Sequence, residues 1–264
     1  MIALSAQIQT STPTEELQKQ SIIAEARALR AFAYLQLQSY FTTDMADPNA
    51  LGAILFDFVP ATTATLPRAT NAQIYDLMEQ DLAFAAANLG TNATVNPTFN
   101  DYKYVTPAMV EAIKARMYVY RKDYVNAETA ANNAISLSGL SLSNAATYNL
   151  MWNDLQRGET IFAASRPSAG GWGNVAANFY FNTTDINGGA FHNMGMNLYN
   201  LYNSFPTDVR RTAFVDITSD LANNNIMINK YPGKASAPLR NDLKIFRVSE
   251  MKLILAECQV GIAS

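Results

Sequence analysis

Residues 106–138 read TPAMVEAIKARMYVYRKDYVNAETAANNAISLS, and this stretch decides the fold. One helical pattern opens at Thr106-Pro107, and a second begins after Asp123 and ends at Ser138-Gly139. Only residues 121–123 lie between the two patterns. So short a connection predicts an antiparallel helical hairpin.

Small and aromatic residues of this hairpin follow the spacing of a tetratricopeptide repeat. If Ala115 is taken as repeat position 8, then Tyr118, Ala127 and Ala134 fall at positions 11, 20 and 27. Small side chains are needed there because neighbouring helix backbones approach closely. Glu111 and Lys114 depart from the repeat pattern, so the hairpin indicates a degenerate repeat. An ordinary helical hairpin stays open as the alternative.

Two capping boxes predict further helices before the hairpin. In the first, Thr12 is the N-cap, Pro13 takes the first helical position and Glu15 the third. In the second, Thr70 is the N-cap and Gln73 follows three residues later. Each box satisfies backbone N–H groups that a helix start leaves without partners.

Apolar periodicity extends these predictions along the chain. The first helix has apolar residues at a period near 3.6, which are Leu17, Ile22, Ala26, Leu29, Phe32, Ala33, Leu37 and Tyr40. The second helix is predicted to end at Gly90 as a C-cap glycine. A last helix is predicted over residues 245–260, and its apolar set is Phe246, Met251, Leu253, Ile254 and Leu255.

The chain changes character between residues 139 and 205. This segment holds both tryptophans, most of the glycines and few charged residues, and no helical or alternating period lasts, although residues 160–164 predict a short strand. Long irregular segments in compact proteins are usually functional or disordered, and the many aromatic residues here argue against disorder.

We therefore predict one mostly α domain, a tetratricopeptide-like scaffold of helical hairpins that carries a loop-rich insert with little β structure. The scaffold comprises residues 12–138 and 242–262, and the insert, which holds the predicted ligand site, comprises residues 139–241.

Composition excludes several classes of function. The net charge is −3 and no basic run occurs, so neither nucleic acid nor an anionic lipid surface is an expected partner. A single cysteine excludes an intrachain disulfide, and with a single histidine it excludes a Cys/His zinc cluster. No stretch of apolar residues is long enough to span a bilayer, and residues 1–9 lack the pattern of a signal peptide.

Several blocks of this sequence, in order, resemble the SusD/RagB-like family. Residues 25–34 (EARALRAFAY) are similar to its EARFLRAFYYF helix, and the hairpin over residues 115–134 is similar to its ALLARVYLYxxDYxxAxxxA hairpin. The other similar blocks are residues 67–82 (PRAT, IYD and DL), 198–210 (LY to DVR), 230–231 (KY) and 247–257 (RVSE and LILAE). Ser249 and Cys258 stand where the family usually has alanine.

The resemblance implies a binding protein of the outer membrane that has no enzymatic activity and no cofactor. Family members are surface lipoproteins of Bacteroidetes that bind glycans and deliver them to a SusC-like TonB-dependent transporter. Their loops contact the glycan and their tetratricopeptide helices form the scaffold. The family is roughly twice as long as this chain and carries a lipid anchor that this chain lacks, so we expect a fragment or a short member.

The insert contains groups that suit a neutral sugar. Trp172 and Tyr180 offer flat apolar rings for the C–H face of a pyranose, and the amides of Asn174 and Asn178 both donate to and accept from hydroxyls. Such shallow sites bind in the micromolar to millimolar range, roughly −8 to −4 kcal/mol. The alternative is that these rings fill the core beneath the loop.

A second candidate for glycan contacts is the loop after the first helix, over residues 42–50. Asp47 and Asn49 are its predicted ligand-binding residues. A loop that leaves a helix is polar in any case, so an ordinary connection is the alternative.

Two other functions stay open. A tetratricopeptide-type scaffold for protein interaction without a small ligand would expose its aromatic residues along a helical groove. A glycoside hydrolase would need two carboxylates across a cleft, for which Asp154, Glu159 and Asp185 are the candidates.

The remaining polar and reactive residues have simpler interpretations. Asp208 and Arg210 are expected to form an ion pair across a turn, and the alternative is an anion site at Arg210-Arg211. His192 is interpreted as a loop residue, while Trp152 and Cys258 are interpreted as packing residues.

Overall fold

A computed structural model describes residues 2–166, 193–216, 219–223, 226–234, 237–238 and 240–263. Internal contacts divide the chain into two compact units. Unit 1 comprises Met1–Gly139 and Phe246–Ser264, and unit 2 comprises Leu140–Ile245.

The described residues form mostly helices. In chain order these are α1 (Ile2–Ala6), α2 (Pro13–Phe41), α3 (Asn71–Asn88), α4 (Pro107–Tyr120), α5 (Tyr124–Ser138), α6 (Ala145–Trp152), α7 (Met196–Asn203), α8 (Val209–Phe214) and α9 (Val248–Ala263). The strands are β1 (Leu51–Ile54), β2 (Arg68–Thr70), β3 (Thr160–Ala164), β4 (Gly233–Lys234), β5 (Ala237–Pro238) and β6 (Leu243–Arg247), and Leu221–Asn223 forms a 3-10 turn. They form two-stranded sheets, β1-β2, β3-β6 and β4-β5. The predicted mostly α fold with little β structure is confirmed.

Helices α2 and α3 begin at the predicted capping boxes. The Glu15 N–H donates to Thr12 Oγ1 at 3.2 Å, and the Thr12 N–H donates to Glu15 Oε2 at 3.2 Å. Thr70 and Gln73 exchange the same pair of bonds at 3.0 and 3.3 Å. The start of each helix is therefore determined by residues three positions apart.

The α4–α5 hairpin packs through the predicted small residues. Ala115, Ala127 and Ala134 are all 0% exposed. Helix α5 also packs against α9, where a Cβ at position 261 would overlap the Tyr124 ring, so only glycine allows this approach. These alanines are therefore buried at the positions where a tetratricopeptide-like repeat needs small side chains between its helices.

A buried ion pair joins α2 to α3 in unit 1. The Arg30 guanidinium donates from Nε and Nη2 to the two carboxylate oxygens of Asp81, each at 2.7 Å. Asp81 is 1% exposed, and Arg27 Nη1 lies 3.9 Å from its Oδ1. Two cations from α2 therefore surround one buried carboxylate of α3.

The apolar stripe predicted for α2 is not its buried face. We call the side of the helix that carries Ile22, Leu29, Leu37 and Tyr40 the α2 stripe; these four residues are 39% to 78% exposed. Phe32, from the same predicted set, is half-buried and its ring lies 5.6 Å from that of Phe246. The buried residues of the helix are Ser21, Ile23, Ala24, Ala28, Ala31, Tyr34, Leu35 and Gln38. Half of them are small, which allows close approach of neighbouring helices.

Two predicted helix ends are wrong. Helix α3 ends at Asn88 with Leu89 as its C-cap, and Gly90 serves a close approach instead, since a Cβ there would lie 2.6 Å from Val95 Cγ1. The last helix begins at Val248 because residues 243–247 form strand β6, which lies beside β3 in a two-stranded sheet. Sheet pairing is a long-range contact, and helical periodicity does not report it.

Unit 2 contains more helix than the sequence predicted. Helices α6, α7 and α8 have 8, 8 and 6 residues, which is too few for a lasting period. Helices α6 and α8 pack around Trp152, whose ring lies 5.4 Å from that of Phe214 and 4.8 Å from that of Tyr231. Helix α7 packs on α8 through Tyr202, whose ring lies 6.5 Å from that of Phe214. The strand predicted over residues 160–164 is confirmed as β3.

Candidate functional site

The main predicted ligand cluster lies outside the described residues. This applies to Trp172, Asn174, Asn178 and Tyr180, and also to Asp185 and His192. Their roles therefore stay predictions from the sequence.

The second predicted ligand segment, residues 42–50, is an exposed loop whose carboxylates order its own backbone. Asp47 Oδ1 accepts from the Asn49 N–H at 2.9 Å, and Asp44 Oδ1 accepts from the Ala46 N–H at 2.8 Å. Asp47 and Asn49 both remain exposed to solvent. A ligand role for these two residues stays a prediction.

A buried polar network holds this loop in unit 1. Gln38 donates from Nε2 to Asn71 Oδ1 at 2.5 Å and accepts from the Ala53 N–H at 3.0 Å. The Asn71 amide then donates to the main-chain carbonyls of Asp44 and Asp47 at 2.7 and 2.8 Å. Both amide side chains are 0% exposed, so the loop is attached to α2 and α3 by buried hydrogen bonds.

Beside this loop lies a small charged cavity of about 250 Å³, lined in part by Tyr75, Asp76 and Arg121. The Tyr75 hydroxyl donates to the Met45 carbonyl at 3.0 Å, and burial raises the pKa of Tyr75 to about 12. Arg121 lies over the Tyr75 ring at 4.6 Å and pairs with Glu79. The arginine and the tyrosine are thus engaged within the fold.

A larger cavity of about 400 Å³ lies within unit 2, and we call it the unit 2 cavity. It is lined by Tyr199, Arg211, Thr212, Val215, Asp216, Ser219 and Leu221. Its walls come from α7, from α8 and from the chain that follows α8. It combines one aromatic ring with hydroxyl groups and a guanidinium, which is the mixture that a polyol requires.

Local structure explains how α8 is positioned. Asp208 caps the helix by accepting from the Arg210 N–H at 2.9 Å, and Ala213 is 4% exposed. Beyond the helix, the Asp216 N–H donates to the Met227 carbonyl at 2.8 Å, and Val215 forms an antiparallel bridge with Ile228. Tyr199 packs against a cluster of Met194, Tyr202 and Ile226. One wall of the unit 2 cavity is therefore built on a hydrophobic core.

The hydroxyl groups of this cavity can accept hydrogen bonds from a ligand. Ser219 Oγ donates to the Asp216 carbonyl at 2.7 Å and accepts from the Met227 N–H at 2.8 Å. Thr212 Oγ1 donates to the Val209 carbonyl at 3.1 Å. A hydroxyl has one proton and two lone pairs. Each of these two hydroxyls donates its proton to a main-chain carbonyl and can still accept a hydrogen bond from a ligand.

The sequence carries only a partial signal for this cavity. Tyr199 stands in a block that resembles the SusD/RagB-like family, and Arg211 belongs to the dipeptide considered as an anion site. Thr212 and Ser219 carried no signal, because nothing in the sequence places them beside Tyr199. Only the turn after α8 brings them together.

Several packing interpretations from the sequence are confirmed. Trp152 is 2% exposed, and Cys258 is 0% exposed with the pKa of its thiol raised by burial. Asp208 and Arg210 form the predicted ion pair at 2.6 Å, and the guanidinium holds the pKa of the Asp208 carboxyl below its ordinary value.

The two described candidates for a hydrolase pair are occupied within unit 2. Asp154 accepts from Asn241 Nδ2 at 2.8 Å and from the Asp242 N–H at 2.9 Å, and it also pairs with Lys244. Glu159 is 2% exposed and accepts from the Ser143 N–H at 3.1 Å. Both carboxylates act in folding here.

A third cavity, in unit 1, is almost entirely apolar. It has a volume of about 330 Å³ and is lined by Leu37, Phe41, Gly52, Ala53, Ile54, Phe56 and Arg68. Arg68 donates to the carbonyls of Phe41, Gly52 and Leu51. Arg68 is the one charged residue among the described lining residues, and it is bonded to backbone. This cavity therefore offers a sugar fewer polar partners than the unit 2 cavity.

Within the described part of the chain, no three histidine, cysteine or acidic side chains come together as a metal site. Among the helices of that same part, none is both long and apolar enough to cross a membrane.

No protein-family model and no curated protein matches the chain. A SusD superfamily protein from Bacteroides thetaiotaomicron VPI-5482 matches it with a TM-score of 0.82 at 22% identity, over 100% of this chain and 59% of that one.

Two further similar structures are of proteins associated with a glycan. One is a crystal structure with xylogluco-oligosaccharide, with a TM-score of 0.74 at 18% identity over 98% of this chain and 57% of that one. The other is a laminarin-binding SusD-like protein, with a TM-score of 0.72 at 18% identity over 98% and 63%. This chain spans less than two thirds of the length of each of the three. The chain shares its fold with these SusD-like structures, as the sequence resemblance implied.

Proposed function

We propose that this protein binds oligosaccharides and that the unit 2 cavity contacts them. The observation that carries the proposal is the placement of the Tyr199 ring beside Thr212 and Ser219 in a cavity of about 400 Å³. The ring supports the C–H face of a pyranose, and the two hydroxyl oxygens accept from its hydroxyl groups.

The similarity in fold supports this assignment. Two structures with the same fold were obtained with, or are described as binding, xylogluco-oligosaccharide and laminarin. We further propose, from the sequence resemblance, a surface lipoprotein of the outer membrane that delivers its glycan to a SusC-like TonB-dependent transporter without chemical change. Trp172, Asn174, Asn178, Tyr180, Asp47 and Asn49 are proposed as further glycan contacts.

Isothermal titration against a panel of oligosaccharides, including xyloglucan and laminarin fragments, tests the proposal. We expect dissociation constants between micromolar and millimolar for at least one sugar. In Tyr199→Leu, an apolar side chain replaces the ring, so the cluster beneath it stays filled. Affinity should fall about tenfold, because the aromatic platform is lost.

The matched control is Leu198→Ala, on the same helix at a residue that is 43% exposed and does not line the cavity. It should bind like the wild type. Unchanged affinity in Tyr199→Leu would remove the unit 2 cavity from the proposal. Absence of heat with every sugar would contradict glycan binding itself.

The α2 stripe favours a second candidate function, a scaffold for protein interaction. Tyr40 is 78% exposed and Leu29 is 45% exposed, and exposed apolar surface of this extent is typical of an interface. Co-purification with a SusC-like TonB-dependent transporter tests it. Leu29→Glu should abolish co-purification, whereas Val125→Glu, on exposed α5 surface, should not. Equal recovery of both variants would contradict this function.

A further inference from the structure

Two adjacent arginines of α8 differ in how their charge is balanced. Arg210 is fully engaged by Asp208, with Nε 3.0 Å from Oδ1 and Nη2 2.6 Å from Oδ2. Its guanidinium also lies over the Tyr202 ring at 5.4 Å. This arginine has its carboxylate partner within the fold.

Arg211 differs from Arg210 in the partner of its guanidinium. Its Nε donates to the Asn203 amide oxygen at 2.6 Å, which is a neutral partner. No carboxylate of the described residues lies within ion-pair distance of its guanidinium. Arg211 is exposed and lines the unit 2 cavity, so its charge faces the space that a ligand would enter.

The cavity also contains one acidic residue, Asp216. This residue is only 9% exposed and its backbone is bonded to the chain at Met227. Arg211 is exposed, so an incoming ligand meets the cation rather than the carboxylate.

We propose that the unit 2 cavity selects acidic glycans, in which a uronate carboxylate pairs with the Nη groups of Arg211. The inference rests on the proposed glycan binding and names its substrate class. A planar guanidinium matches a planar carboxylate through two parallel hydrogen bonds. The same sugar ring would lie on Tyr199 while its hydroxyls donate to Thr212 and Ser219.

The experiment compares an oligogalacturonate with its fully methyl-esterified form, by titration calorimetry at low ionic strength. The two ligands share every ring and hydroxyl, and each carboxylate of the acid is a neutral methyl ester in the other, so the comparison reports on the carboxylate charge. We expect the acid to bind about tenfold tighter than the ester, and the difference to shrink as salt is added.

Two variants assign the effect to one arginine. Arg211→Gln should abolish the preference, so that the acid and the ester bind with similar affinity. Arg210→Gln is the matched control, because its charge is already used by Asp208. It should retain the preference for the acid, and thermal melting should confirm that both variants are folded.

The outcomes separate this inference from the proposed function. Equal affinity of acid and ester overturns the inference and leaves glycan binding intact. Loss of the preference in both arginine variants also overturns it, because the effect would then be one of general charge. If neither ligand nor any neutral oligosaccharide binds, the proposed function fails together with the inference.

Discussion

Removal of the buried carboxylate between α2 and α3 should strongly destabilise unit 1. Asp81 is 1% exposed and receives two hydrogen bonds of 2.7 Å from Arg30, whose side chain is 21% exposed. Asp81→Ala leaves that guanidinium without its partner. Loss of one member of a buried ion pair lowers the free energy of unfolding by roughly 3–5 kcal/mol. Because Arg30 is partly accessible to solvent, we expect a cost of about 3 kcal/mol here.

Urea denaturation followed by circular dichroism measures this cost. With a slope of about 2 kcal/mol per molar urea, the midpoint should fall by about 1.5 M. The control is Glu79→Gln, which removes the carboxylate of the partly exposed Glu79–Arg121 pair. That change should cost less than about 1 kcal/mol, because exposed pairs contribute little.

A double variant tests the cause. If the cost of Asp81→Ala arises from the unpaired cation, Arg30→Met combined with Asp81→Ala should recover part of the lost stability. The reasoning is refuted if Asp81→Ala costs no more than Glu79→Gln, or if the double variant is no more stable than Asp81→Ala alone.

Three further predictions follow from individual contacts. Gly52→Ala should cost about 1–3 kcal/mol in urea unfolding, because its Cβ would overlap the buried Gln38 amide, while Gly195→Ala, with open space around it, should not destabilise. An alkaline absorbance titration should show a tyrosine that ionises near pH 12 and is absent in Tyr75→Phe, because burial raises the pKa of Tyr75. The stability contributed by the protonated Tyr75 is present below pH 10 and is lost as the pH rises through 12. Ionisation of every tyrosine of the native protein near pH 10 would contradict this prediction. Cys258 should resist a thiol reagent in the native protein and react once urea unfolds it, and rapid native labelling would show that the buried thiol is accessible.

Local signals predicted the helices well. The boxes at Thr12 and Thr70 and the short connection over residues 121–123 involve residues a few positions apart, so their interactions form wherever the chain is helical. The same holds for Gly139, whose φ of 63° ends α5. These features need no knowledge of the rest of the molecule.

The burial of α2 illustrates where local signals fail. Apolar residues of its stripe and alanines of the opposite face both repeat at helical spacing, so the periodicity admits either face as the buried one. The alanine face is buried because small side chains allow close packing, and Arg30 then reaches Asp81 on α3. The apolar period alone therefore does not identify the buried side of α2.

The candidate site depends even more on distant contacts. Tyr199 and Ser219 are separated by α8 and a turn, and the Ser219 hydroxyl is positioned by Asp216 and Met227. The sequence predicted the ion pair between Asp208 and Arg210, which depends on residues two positions apart, and the forked pair confirms it. The sequence did not show that the neighbouring Arg211 lines a cavity beside Tyr199.

The sequence by itself determined where helices α2 to α5 begin, the small residues at which α4 and α5 meet, and the kinship implied by its ordered blocks. Each of these depends on neighbours within a few residues or on the order of motifs. The tertiary structure alone decided which side of α2 is buried, that residues 243–247 form a strand, and that Tyr199, Arg211, Thr212 and Ser219 share a cavity. Those outcomes depend on which surfaces meet, and this is set by packing between segments far apart in the chain.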